Sequence, residues 1–189
     1  MTYDTDLLIV GGGPGGLATA LHARRHGLSV IVADPRESPI DKACGEGLMP
    51  GGLAELAALD VDPAGMPFHG IAYVSENRRA EAWFRSGPGR GVRRTTLHSA
   101  LTARAKEQDT EWIRTRVTGV SQDAHGVTAA DVRARWLVAA DGLHSGCGGR
   151  WESPRRRVAH GATGCAGITG CRCGRSSSKC TGRAGVRRT

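Results

Sequence analysis

Six consecutive residues near the start of the chain, Gly11-Gly12-Gly13-Pro14-Gly15-Gly16, constrain its fold more than any other feature. An apolar run, Leu7 to Val10, reads as a buried parallel strand and leads directly into Gly11-x-Gly13-x-x-Gly16. A helical pattern with Leu17, Ala20 and Leu21 follows, then a second apolar run, Leu28 to Ala33, that closes on Asp34. This is the order of a βαβ unit built to receive a dinucleotide. Gly11 permits the tight turn, Gly13 lets the backbone approach a pyrophosphate, and Gly16 lets the helix pack close to the strand. The free N–H groups of the helix start face the phosphates. Asp34 is placed to accept hydrogen bonds from ribose hydroxyls. A glycine-rich turn with no ligand would leave Asp34 unexplained.

The net charge of +8 misleads, because it is not spread along the 189 residues. Residues 1–145 carry 16 Lys and Arg against 17 Asp and Glu, while residues 146–189 carry 10 against one. Five of the six cysteines also lie after Ser145, and Cys44 alone precedes it. The first 145 residues suffice for one domain with a real core. Their apolar runs are strand-sized, so no transmembrane segment is expected, and a single cysteine fits a cytoplasmic setting.

Residues 146–189 contain no Leu, Phe or Tyr and show neither helical nor strand periodicity. Such a stretch buries too little apolar surface to offset its ordering entropy, so it is expected to be a disordered basic tail. A nucleic-acid arm is one reading of it. A zinc site on Cys165, Cys171, Cys173 and Cys180 is another, but Cys-x5-Cys-x-Cys-x6-Cys matches no familiar ligand spacing. A frameshifted translation explains more. Displacing the frame by two bases turns each cysteine codon into one ending in TG, for Leu, Met or Val, and permits aromatics and strand-like alternation to return. On that reading neither a nucleic-acid partner nor a metal is expected.

Between the two ends the chain alternates polar loops with short patterned elements. A short helix is predicted over Leu53 to Leu59, and a connection over 60–68. A hairpin is predicted from Ile71–Val74 and Ala80–Arg85, with its turn near Glu76–Arg79. A helix over Thr96 to Gln108 presents Leu97, Ala100, Leu101 and Ala105 on one face. Trp112 to Val120 reads as a strand, Gly126–Ala130 as a short partner, and Arg135 to Ala140 as a buried strand ending at Asp141-Gly142. That strand would carry Asp141 to the same sheet edge as the glycine loop, where open α/β sheets collect ligands. Arg94, at the start of its helix, can reach a phosphate or a ring carbonyl. His69, His98, His125 and His144 show no ligand spacing and read as surface or turn residues.

Taken in order, the Gly11–Gly16 loop ending at Asp34, Arg94-x-x-Leu97-x-x-x-Leu101 and Ala140-Asp141-Gly142-x-x-Ser145 resemble the FAD-dependent oxidoreductases of the aromatic-hydroxylase (flavin monooxygenase) class. Lys42-x-Cys44-Gly45-x-Gly47-Leu48 looks like a loop of the geranylgeranyl-reductase branch, where it lies near the flavin ring. The resemblance spans residues 3–145 and implies an α/β fold. Its parts are a Rossmann-like FAD-binding parallel sheet over 1–145 and a partial β-rich substrate-domain insertion at 66–93. It implies FAD, held by Gly11 to Gly16, Asp34, Cys44, Gly45, Arg94, Asp141 and Gly142, with NAD(P)H as reductant and a small aromatic or isoprenoid substrate. The implied activity is that of an NAD(P)H-reduced monooxygenase. The alternatives are a reductase of alkenes and a non-catalytic remnant that binds only the ADP part of FAD. No acid–base or nucleophilic set stands out in the sequence.

Overall fold

The computed structural model describes residues 2–42, 44 and 46–142, so the expectations for Gly45, His144 and the 146–189 tail lie outside the described residues. In chain order the elements are β1 (Thr5–Val10), α1 (Pro14–Arg25), β2 (Val30–Ala33), β3 (Gly47–Leu48) and α2 (Pro50–Ala58). There follow β4 (Met66–Phe68), β5 (Gly70–Ser75), β6 (Arg78–Trp83), β7 (Gly89–Gly91) and α3 (Arg94–Glu107). The described chain closes with β8 (Glu111–Ile113), β9 (Ser121–Gln122), β10 (Val127–Ala129) and β11 (Val132–Ala139).

The main sheet has the order β8-β2-β1-β11-β10-β9. Its first four strands run parallel, and β10 and β9 are added antiparallel. This is the Rossmann-like α/β arrangement expected. Apolar side chains on both faces of β1 explain why that strand sits centrally. Leu7 and Ile9 pack toward α1 with Ala20, Ala23, Val30 and Val32, while Leu8 and Val10 join Ile31, Ala33, Ala134 and Leu137 on the other face. A third cluster, Leu17, Leu21, Leu59, Val61, Leu101 and Ala105, fastens α1 to α3. Each large aliphatic side chain buried in this way contributes roughly 1.5–3 kcal/mol of transfer free energy.

Two glycines are required by contact rather than composition. Gly11 has φ +109°, and a Cβ there would lie 2.4 Å from the Ala140 carbonyl oxygen. A Cβ on Gly16 would lie 2.0 Å from the Gly11 carbonyl oxygen, so only glycine lets α1 start this close to β1. Gly11 thus serves a close approach to the end of β11 as well as the turn.

Several expectations shift. The strand read over Trp112 to Val120 stops at Ile113, because β2 ends at Ala33 and the last ladder bond runs from the Asp34 N–H to the Ile113 carbonyl at 3.2 Å. Beyond that point there is no strand partner among the described residues, and residues 114–120 leave the sheet. The buried strand at 135–140 begins earlier, at Val132, and its Trp136 is 48% exposed. The connection over 60–68 and the Ser86-Gly-Pro-Gly-Arg-Gly91 stretch each supply a short strand, β4 and β7, which pair with each other in a small sheet with β3. The hairpin stands as β5 and β6, paired from Gly70↔Trp83 to Ser75↔Arg78.

Candidate functional site

The carboxyl ends of β1, β2 and β11 meet at one sheet edge. β1 and β11 run in register to Val10↔Ala139, and the Ala140 N–H then donates to the Val10 carbonyl at 2.7 Å. That continuation delivers Asp141 beside the glycine loop. A cleft of about 670 Å³ opens there, lined by Gly11, Asp34, Arg36, Lys42, Thr115 to Thr118 and Asp141 among others. Its size falls within the range of small-molecule sites, about 300–1,000 Å³. The residues after Ile113, expected to continue a strand, instead form one wall.

On the α1 side, Gly13 is the N-cap and Pro14 opens the helix, with no side-chain cap and no acidic residue in the first turn. Pro14 has the φ a helix start needs and no N–H to leave unpaired. Basic residues His22, Arg24 and Arg25 fill the last turn, so the charge pattern reinforces the helix dipole and keeps its N-terminus receptive to an anion. A Cβ at Gly13 would meet only an Arg94 terminal nitrogen at 3.8 Å, so the backbone is open to a ligand. Arg94 Nε is buried and lacks a hydrogen-bond partner among the described residues. A guanidinium donor left in that state beside an uncapped helix start calls for an anion.

Asp34 is buried at the end of β2. Its Oδ2 accepts the Gly12 N–H at 2.8 Å and Arg36 Nη2 at 2.8 Å. Its Oδ1 accepts the Arg36 backbone N–H and Nε, each at 2.9 Å. Burial raises the carboxyl's pKa, but the Arg36 guanidinium and the two backbone N–H groups outweigh it, and the net direction is down. Asp34 is therefore an anion with a filled shell of donors.

One residue of the site escaped the sequence reading. His98, expected at the surface or in a turn, is fully buried on α3. Its Nε2 donates to the Gly12 carbonyl at 2.8 Å. Its Nδ1 lies 3.1 Å from Ser38 Oγ and 3.3 Å from Thr102 Oγ1, the acceptor of a hydroxyl hydrogen. Burial is the main reason its pKa falls below the ordinary 6.5; Arg94 and Arg36 push the same way, while the Gly12 carbonyl and Asp34 oppose. His98 is thus a neutral clamp on the glycine loop. The signal was present in sequence: Arg94, His98 and Thr102 recur every fourth residue and form a polar stripe beside the apolar one. His69 and His125 are exposed, as expected.

Cys44 is exposed and does not line the cleft. Glu46, in the same loop, has φ +52° and accepts the Arg94 backbone N–H at 3.1 Å, so its carboxylate caps α3. Gly142 has φ +88°, and a Cβ there would come within 3.1 Å of Lys42 Nζ. The loop that carries Lys42 therefore folds back over the Asp141-Gly142 turn. No group of three or more metal-ligating side chains occurs among the described residues. None of their helices is long and apolar enough to cross a membrane.

The FAD binding domain family signature matches residues 6–167, most of the chain. The chain belongs to this FAD-binding family. Its members include oxidoreductases, and the fold and glycine-loop motifs found here are theirs. Menaquinone reductase of Mycolicibacterium smegmatis is 32% identical over 165 residues, a span covering 78% of this chain and 40% of that protein. A geranylgeranyl bacteriochlorophyll reductase-like structure from Thermoplasma acidophilum superposes with TM-score 0.63 at 27% identity, covering 76% of this chain and 41% of the other. The p-nitrophenol 4-monooxygenase of Pseudomonas putida shares the fold, with TM-score 0.66 at 21% identity over 77% of this chain and 42% of that one. The FAD-binding chain thus spans about 40% of the length of such relatives.

The family's cofactor fits the residues present. The uncapped α1 start and the partnerless Arg94 Nε suit a pyrophosphate.

Proposed function

We propose that this chain holds the ADP moiety of FAD in the cleft at the β1, β2 and β11 ends, as the cofactor-binding part of an NAD(P)H-driven oxidoreductase. The observation that carries the reading is the buried, partnerless Arg94 Nε beside an open glycine and an uncapped helix start. When bound, FAD supplies hydride acceptance and donation, and the protein supplies position and electrostatics. The α1 N–H groups and Arg94 bind the pyrophosphate, Asp34 takes the ribose hydroxyls, and Asp141 orients the adjoining turn. His98 keeps the Gly12 peptide fixed while these contacts form. Cys44 and Gly45 belong to the loop that would lie toward the flavin ring.

For the whole protein we favour reduction of an isoprenoid alkene. Similarity to reductases at 32% and 27% identity supports it, as does the Lys42-x-Cys44-Gly45-x-Gly47-Leu48 loop. The monooxygenase reading draws on the hydroxylase-like set of glycine loop, Arg94 helix and Asp141-Gly142 turn. Residues 146–189 are proposed to be frameshifted, and genomic sequence closed by early stops in the shifted frame would end that idea.

Two experiments test the function. Titration of the chain with FAD should give saturable binding with quenched flavin fluorescence, and Arg94→Met should weaken it about tenfold. With the gene's full frame, anaerobic NAD(P)H oxidation coupled to saturation of a prenyl alkene supports the reductase. Stoichiometric O2 uptake with a hydroxylated product supports the monooxygenase instead.

A further inference from the structure

Asp34 poses a problem for any ligand that would use it. An ionised carboxylate offers about four lone-pair positions, two on each oxygen. All four are taken by the protein itself: Oδ1 by the Arg36 backbone N–H and Nε, Oδ2 by the Gly12 N–H and Arg36 Nη2. The two backbone donors belong to the frame of the site and cannot leave without unfolding it. The two guanidinium donors can. The Arg36 side chain is 48% exposed, against 1% for Asp34, and both residues line the cleft.

The guanidinium fork takes one position on each carboxylate oxygen. That is also what a vicinal diol needs, since two neighbouring hydroxyls can donate one hydrogen to each oxygen. From this equivalence we propose that Arg36 is an internal competitor for the ribose: its fork occupies the diol's places on Asp34 and must swing into solvent before a ribose 2′,3′-diol can bind.

The exchange conserves hydrogen bonds. Two N–H···O⁻ bonds at 2.8–2.9 Å are replaced by two O–H···O⁻ bonds, and water solvates the released guanidinium. Affinity then carries a handicap equal to the fraction of molecules in which Arg36 has let go. A ligand without the diol has no reason to displace the fork and carries no handicap. Arg36 therefore narrows the margin by which the site prefers a ribose over a sugar lacking these hydroxyls. Specificity for the diol is blunted, and the Asp34 anion is never left bare while the cleft is open to water.

The inference rests on the reading of the cleft as an ADP site, and its test separates the two. Dissociation constants for ADP and 2′,3′-dideoxy-ADP are measured by calorimetry on the wild-type chain, Arg36→Met and Arg36→Lys. Arg36→Met removes both side-chain donors and should bind ADP about fivefold more tightly, with dideoxy-ADP unchanged. Arg36→Lys keeps the charge but loses the fork, and should fall between the wild type and Arg36→Met. It carries the test in the same direction should Arg36→Met fail to fold. Weaker ADP binding by the variants would make Arg36 a ligand contact and overturn the competitor. Equal gains for both nucleotides, or no change for either, would overturn it too. Failure of the folded wild type to bind either nucleotide would instead overturn the ADP reading itself.

Discussion

The glycine-loop edge and the β5–β6 ribbon both rest on six-residue strands, yet they stand in opposite conditions. At the loop, Leu8, Ile9, Leu17, Leu21 and His98 are fully buried, and each polar group of the Gly12 peptide has a partner on another element. On the ribbon, Tyr73 is 69% and Trp83 72% exposed, and every β6 residue faces solvent. The first region closes on itself within about 140 residues; the second forms its ladder and little else. A two-stranded ribbon with no third layer is at best marginal. The elements around the proposed ADP site therefore pack on one another, while the β5–β6 ribbon lacks a covering layer among the described residues. The chain spans about 40% of the relatives it matches, in line with that difference.

Substitutions of graded severity test the contrast. Gly16→Ala places a methyl 2.0 Å from the Gly11 carbonyl, so the start of α1 has to move off β1. A loss of about 3 kcal/mol or more, with no measurable nucleotide binding, is expected in thermal melts and titrations. Retained stability would mean that the loop is not the closed unit described.

His98→Leu should come next, at about 1–3 kcal/mol, because it strands the buried Gly12 carbonyl. His98→Gln, which keeps a donor at similar reach, should recover part of that loss. The pH dependence is the sharper readout. Because the folded-state pKa of His98 lies below 6.5, the unfolded chain takes up its proton first as pH falls. The stabilisation is complete above about pH 6.5 and shrinks as pH drops toward the folded-state value. The melting temperature should therefore decline between pH 7.5 and 5.5 in the wild type, and that component should vanish in His98→Gln. Parallel curves would remove His98 from the account.

Arg94→Met should separate binding from stability. Arg94 Nε has no hydrogen-bond partner among the described residues, so the melting temperature should move little while FAD affinity falls about tenfold. A large loss of stability instead would make Arg94 a structural residue. The smallest effects belong to the ribbon. Tyr73→Thr, Val74→Thr and Trp83→Thr should each stay within about 0.5 kcal/mol. A substantial loss from any of them would show that the ribbon is covered in solution.

Much of this contrast is legible in the residues themselves. The βαβ unit could be read because strand, glycine spacing, helix period and terminal acid agree, and Asp141 was placed by the rule that ligands gather at strand ends. Three features resisted, each for a physical reason. The alternation after Trp112 persists beyond Ile113, but a strand needs a neighbour and β2 has ended. His98 lay in a helix read only for its apolar face, so the polar stripe of Arg94, His98 and Thr102 went unread. Arg36 carries no periodic signal. Its grip on Asp34 depends on how the chain turns after β2, and it changes Asp34 from an open acceptor into a filled one.

The most direct test of the central claim is a calorimetric titration of the folded chain with ADP, in parallel with Gly13→Asp. One saturable site is expected, abolished when a carboxylate is placed where the pyrophosphate would approach, with the circular dichroism of the two proteins unchanged. Absence of binding by the folded wild type, or equal binding by the two, would contradict it.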